Sequence, residues 1–337
     1  MAKEKKIKNS TPNEEIKVET PEEAQEKLDK SLDLIPLCRE KSEVPFNEEV
    51  EQERSNIFKV YKKTRTENNI IMVITVVVFV ASFIMFVNLG NIGKIIGGVA
   101  IGVALVFLIV HYILTRNRFP NTTKKYIRYF MEHSDNYIFD INDVHDQKLY
   151  FEKRYAIADV LQDRAYKDVI DIASRNIVTA TYKEVPFECG ELALYKAGAK
   201  KYQKAVMFVG KYLTMENKLH FEERYIIQIK GEKETDTPND IEDLTVLHEQ
   251  NNFVIYGKEG ANYEKDLGKD FINNLMSIDC KDSLMNVNIV VWAGHTAVYL
   301  SYDDSIVAIP LDKKLNPAAY QQLKKNIFDI LEIMLGK

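Results

Sequence analysis

The sequence holds little that would name a chemistry. Its three cysteines, Cys38, Cys189 and Cys280, lie far apart, form no CxxC pair and stand at no ligand spacing from a histidine. That excludes a zinc ribbon or a thioredoxin-like redox pair and fits reduced side chains in a cytosolic compartment. The six histidines, at 111, 133, 145, 220, 248 and 295, include no HExxH and no pair three to five residues apart, so no zinc hydrolase is expected. A GxxxxGK[ST] loop, a GxGxxG turn and a GxSxG elbow are missing as well. Charge of one sign is also lacking: 45 basic residues meet 50 acidic ones for a net −5, which gives no footprint for a nucleic-acid partner. The beginning of the chain has no apolar stretch, and residue 2 is alanine where N-myristoylation needs glycine, so neither a secretion signal nor that lipid anchor is expected.

What is present is apolar length. Ile70 to Val87 runs without a charge, and Ile95 to Leu114 has only His111 as an ionisable residue. Each run is long enough to cross the roughly 30 Å hydrocarbon layer as a helix. Between them the chain offers only Asn88-Leu89-Gly90-Asn91-Ile92-Gly93-Lys94, a turn-rich stretch that suits a tight hairpin. Lysine and arginine are retained on the cytoplasmic side of a membrane. Arg54, Lys59, Lys62, Lys63 and Arg65 precede the first run, Arg116, Arg118, Lys124, Lys125 and Arg128 follow the second, and Lys94 alone lies between. Both ends are therefore expected inside the cell, with these basic residues at the anionic surface of the cytoplasmic leaflet as a juxtamembrane anchor. Small residues recur at helical spacing, Gly93, Gly97, Ala100 and Ala104 on one stripe and Gly98 with Gly102 on another. They allow the two helices to approach closely, with self-association through the remaining stripe as the alternative. No polar or charged face suggests a pore.

Residues 1–46 are dominated by polar residues, with no aromatic before Phe46, so a disordered arm is expected, with a short helix over 21–34 as its one ordered candidate. From Asn47 a capped helix should run through Val50, Ile57 and Tyr61 into the first span. After the second span, Pro120 interrupts, and Asn121-Thr122 can cap a connector helix to about Met131. Beyond it the pattern predicts a strand at 137–141 and a long helical region to about Ser174 with Ile157, Val160, Leu161, Val169 and Ile172 on its apolar face. Strands follow over 177–182, 190–195, 205–214 and 219–229, with Met215-Glu216-Asn217-Lys218 as the turn between the last two. A strand at 253–256, a helix over 262–278, a meander over 286–292, 296–302 and 305–309, and a closing helix from Pro317 complete the chain. Tyr320, Leu323, Ile327, Ile330 and Met334 mark that last helix as a core element.

The partition is thus a disordered arm (1–46), a basic juxtamembrane helix (47–69), spans at 70–87 and 95–114 joined by an external turn (88–94), a connector helix (115–136) and a cytosolic domain (137–337). Grouped strands make that domain α+β around a mostly antiparallel sheet. Within it, Gly257-Lys258-Glu259-Gly260 has the spacing of an RNA clamp, but Glu259 would repel phosphate. Cys189 begins an apolar strand, which raises a thiol's pKa, and no basic neighbour is evident. Trp292-Ala293-Gly294-His295 reads as a hairpin tip.

The basic helix before a two-span hairpin, the segment Phe187-Glu188-Cys189-Gly190-Glu191-Leu192-Ala193-Leu194-Tyr195, the strand Met207-Phe208-Val209-Gly210-Lys211-Tyr212 and the later Phe253-Val254-Ile255-Tyr256 together resemble an uncharacterised family of bacterial membrane proteins, the domain-of-unknown-function family thirty-one thirty-seven. The resemblance covers roughly Asn47 to the end of the chain. It implies a bacterial cytoplasmic membrane location and a cytosolic domain, and supplies no activity or functional residues. The expectation is a noncatalytic membrane-anchored scaffold or adaptor with no cofactor, no metal and an unidentified protein partner. The alternative is a small-ligand sensor whose domain controls packing of the hairpin.

Overall fold

The computed structural model describes residues 34–35, 48–88, 90–116, 118–133, 143–200, 203–217, 223–231, 244–278, 280, 284–302 and 311–335. Three helices follow the short strand at Leu34–Ile35: α1 (Glu48–Asn88), α2 (Asn91–Thr115) and α3 (Arg118–His133). α1 is continuous for 41 residues, so the basic segment and the first apolar run share one helix. α1 and α2 carry the two windows long and apolar enough to cross a membrane. The turn between them is shorter than expected: Asn91 already opens α2, so Asn91 to Lys94 form its first turn. Helix packing explains the compact hairpin. A Cβ placed on Gly97 would lie 2.8 Å from the Phe86 nitrogen and the Ser82 carbonyl oxygen, so the two backbones touch where only hydrogen fits.

α3 begins at Arg118 rather than beyond Pro120. Proline in a first turn removes no intrahelical bond, so it is compatible with the helix it was expected to interrupt. Tyr126, Ile127 and Phe130 on α3 are buried, as are Val50 and Ile57 on α1. They share one core with α6 (Lys269–Met276), α7 (Pro317–Leu335) and one face of the sheet.

The sheet contains β1 (Leu34–Ile35), β2 (Val144–Tyr150), β3 (Asp171–Tyr182), β4 (Val185–Ala197), β5 (Lys204–Glu216), β6 (Tyr225–Lys230), β7 (Thr245–Gln250), β8 (Phe253–Gly257), β9 (Leu284–Trp292) and β10 (His295–Tyr302). Its order is β1-β2-β3-β4-β5-β10-β9-β6-β8-β7, with each neighbouring pair antiparallel. The fold is α+β with a large antiparallel sheet, and the two long apolar helices precede every strand of it except β1.

Several local expectations give way to long-range pairing. The helix to Ser174 shrinks to α4 (Ile157–Gln162), and Ile172 belongs to β3, where residues alternate across the sheet instead of following a helical stripe. β5 and β6 form no hairpin: β5 pairs with β10 and β6 with β9. Asn217, expected as a turn residue, clamps the β9–β10 turn instead, donating to the Trp292 and His295 carbonyls at 2.9 and 2.6 Å and accepting from Gly294 N at 3.1 Å. The helix over 262–278 is divided into α5 (Tyr263–Leu267) and α6 at Gly268, whose φ of +81° suits glycine. Leu34 and Ile35 pair with Tyr150 and Leu149 in a strand, not in a helix. β2 and β7 are strands that the sequence pattern does not predict. The predicted strands at 137–141 and 305–309, and the arm apart from 34–35, lie outside the described residues.

Candidate functional site

The basic residues of the predicted membrane surface take two environments. Lys59, Lys62, Lys63 and Arg65 are exposed on α1 before Ile70, and Arg116, Arg118 and Lys125 are exposed around the start of α3. Lys124 instead turns toward the domain, where it pairs with Glu152 and lies 5.1 Å from the centre of the Phe151 ring. Arg128 is half-buried on the same helix. Of the glycines expected in hairpin packing, Gly93 and Gly97 are buried, Gly97 directly against α1, while Gly102 has open space around it and Gly98 faces only the Phe86 ring. His111 is hydrogen-bonded to Asn68 across the hairpin, which gives it a polar partner inside the apolar zone.

Two polar clusters emerge in the domain, one on each face of the sheet. On the face that carries Cys189 and Leu213, register sets Arg175, Glu191 and Lys211 side by side on β3, β4 and β5. Arg175 Nε donates to Glu191 at 2.5 Å, and Lys211 Nζ stands 3.5 Å from the other carboxylate oxygen. Burial alone would raise the Glu191 pKa, yet Lys211 and then Arg175 pull it below its ordinary range. A cleft of about 810 Å³ opens beside this row. Ala173 and Ala193 leave the space, and Arg154, Tyr155 and Tyr195 border it. An open cleft with a fixed charge row on one wall and small apolar residues on another suits a small amphipathic ligand.

On the opposite face the segment after α4 delivers Asp163, which is fully buried. It accepts hydrogen bonds from Tyr212 at 2.6 Å and Tyr299 at 2.7 Å, and His295 Nε2 lies 3.1 Å from its other oxygen. Burial, and then the neighbouring acidic oxygen atoms, push the Tyr212 phenol well above its ordinary value, so it serves as a neutral donor. Trp292 covers His295 with ring centres 4.2 Å apart. This arrangement holds the segment that precedes β3 against the sheet. It brings the predicted hairpin-tip residues into a cluster whose centre, Asp163, the sequence did not single out. No local signal marks that aspartate, because its partners are on distant strands.

Cys189 is buried, and burial pushes its thiol up to about 11. Lys211, a basic neighbour not evident in the sequence, opposes this shift without reversing it. Among the described residues no group of three or more His, Cys, Asp or Glu side chains is placed to hold a metal ion. Gly257 to Gly260 joins β8 to the α5 region.

No family model matches the chain, and no curated protein matches it in sequence. A crystal structure of the mycobacterial trehalose monomycolate transport factor A is similar over 49% of this chain and 76% of that one, with 14% identity and a TM-score of 0.27. A likeness of that extent carries no argument about this chain.

Proposed function

We propose that the protein is a noncatalytic scaffold held in the bacterial cytoplasmic membrane by the α1–α2 hairpin, with its α+β domain on the cytoplasmic side as an interaction module. The observation that carries this reading is the continuity of α1. Its first turns are buried in the domain core at Val50 and Ile57, and the same helix exposes Val73 and Val77 to its surroundings at 62% and 61%. A hydrocarbon environment would cover such side chains, and a helix without a break would hold the domain at a fixed height above it. The basic flanks and the lone Lys94 in the connection support the inward orientation.

Crosslinking in native membranes followed by recovery of the full chain tests the scaffold role: the reading fails if no protein partner is recovered and the chain turns over a small molecule. With Cys38, Cys189 and Cys280 replaced by alanine, Asn88→Cys and Lys148→Cys test the orientation. An impermeant maleimide should reach the first in intact cells and the second only after permeabilisation; the reverse pattern would contradict the proposed side. The cleft beside Arg175 and Glu191 favours one other reading, a sensor that couples a small ligand to hairpin packing. Ligand-dependent thermal shifts of the full chain, with ion leakage from proteoliposomes, would separate that role from a passive anchor.

A further inference from the structure

A second cavity, of about 680 Å³, lies where α1 approaches α3 and residues 311–312. Its α1 wall is a helical stripe through Phe58, Tyr61, Lys62, Arg65, Thr66 and Asn69, and Thr123 and Asp312 complete the polar lining. We infer that this groove binds the headgroup of an anionic phospholipid, with Lys62 and Arg65 at the phosphate and Thr123 and Asp312 at headgroup hydroxyls.

Position is the first argument, and it rests on the membrane-anchor reading proposed above. With a rise of 1.5 Å per residue, Arg65 and Lys62 stand roughly 8 and 12 Å outside Ile70, where the apolar run starts. The polar layer on each side of the hydrocarbon core is roughly 5–8 Å thick, so Arg65 falls within it and the long Lys62 side chain reaches back to it. Charge is the second argument. Among the described residues neither Lys62 nor Arg65 has an ion-pair or hydrogen-bond partner, although both line a cavity. A phosphate would meet both cations, and guanidinium geometry suits it. Asp312 would repel a bare anion at the domain end of the groove, near Arg54, whose guanidinium donates to the Leu311 carbonyl at 2.6 Å. It would instead accept from hydroxyl groups beyond the phosphate, which points to a polyol headgroup such as glycerol. Lys59 and Lys63 lie on the same helix, roughly 17 and 11 Å outside Ile70, but do not line the groove. This difference separates a built site from general attraction to a charged surface.

The test uses the full chain in nanodiscs of phosphatidylcholine mixed with phosphatidylglycerol. After exchange into detergent, mass spectrometry measures the ratio of the two lipids retained by the protein. The wild type and the K59Q/K63Q variant should both retain phosphatidylglycerol preferentially, whereas K62Q/R65Q should lose that preference roughly tenfold. Excess inorganic phosphate at constant ionic strength should not displace the lipid. Equal losses in the two variants would reduce the effect to diffuse electrostatics, and displacement by phosphate would make free phosphate the ligand; either result overturns the inference. Because the substituted side chains are exposed, failure of the wild type itself to enter nanodiscs would identify the anchor reading as the error and would overturn both proposals.

Discussion

Tyr212 and Tyr299, opposite each other on β5 and β10, donate to the same oxygen atom of Asp163, at 2.6 and 2.7 Å. The shared acceptor joins two strands to a segment that lies outside the sheet. Its removal would strand two buried hydroxyls, each at a cost of about 1–3 kcal/mol, so Asp163→Ala should destabilise the chain by about 3 kcal/mol or more. Adding Tyr212→Phe and Tyr299→Phe should restore part of that loss, because neither hydroxyl is then left unpaired. Thermal unfolding of the full chain in detergent measures both effects. A triple variant no more stable than Asp163→Ala would show that the hydroxyls do not carry the cost.

Glu191 and Lys211 form a second buried relationship, with side chains 4% and 7% exposed. Glu191→Gln removes the buried carboxylate beside the Lys211 ammonium and should cost about 3 kcal/mol, whereas Glu191→Leu with Lys211→Met should be far milder. The pH dependence follows from the lowered pKa of Glu191. Its contribution is present above the unfolded carboxyl's ordinary value of 4.5 and is lost as pH falls through the lower folded value. Denaturation at neutral pH and at successively lower pH should therefore show the gap between wild type and Glu191→Gln narrowing below that ordinary value. A gap that widens on acidification would reverse the assigned sign.

The hairpin glycines should separate cleanly. Gly97→Ala introduces a methyl group at 2.8 Å from backbone atoms of α1, while Gly102→Ala enters open space. Because two backbones cannot yield as a flexible side chain can, the first substitution should lower the melting temperature measurably. The second should leave it nearly unchanged or raise it slightly, since alanine is the better helix former by about 1 kcal/mol. Equivalent losses at both positions would mean that the exposed glycine stripe is itself packed, as in a homo-oligomer.

Cys189 should be inert in the folded chain. Its thiol is pushed up from 9.0 to about 11 by burial, against a weaker opposing effect of Lys211. In a Cys38→Ser background, an aromatic disulfide reagent at about pH 8 should find little thiolate at Cys189 until denaturant exposes it, since the deprotonated form is the nucleophile. Rapid modification of Cys189 before unfolding, mapped by peptide mass spectrometry, would show access that its burial denies.

The apolar helices were legible because each is a sum over consecutive residues: Ile70 to Val87 and Ile95 to Leu114 identify themselves without a distant partner. Leu323, Ile327, Ile330 and Met334 likewise kept their helical stripe, and all four are buried. Strand existence was legible through β-branched and aromatic runs, but strand partnership was not. Nothing in Ala205 to Thr214 tells it to avoid the next apolar run and pair with β10. β2 and β7 carry no such signal, because their sequences, VHDQKLY and TVLHEQ, place polar residues on partly exposed strands. The candidate sites were less legible still. Asp163 is 132 residues from His295 and 136 from Tyr299, and only tertiary pairing converts an ordinary turn aspartate into their common centre. Lys62 and Arg65 were visible as cations, but the groove beside them also requires Thr123 and Asp312.

The uninterrupted α1 has a mechanical consequence. A span that does not match the bilayer adjusts by tilting, by kinking or by deforming the lipid around it. Here the helix extends from the buried Val50 to Asn88 without a break, and Arg54 fastens its near end to the Leu311 carbonyl. With the hairpin in a bilayer, a change in lipid thickness would swing the sheet relative to the membrane plane. The domain's outward presentation would then depend on the lipids around its base.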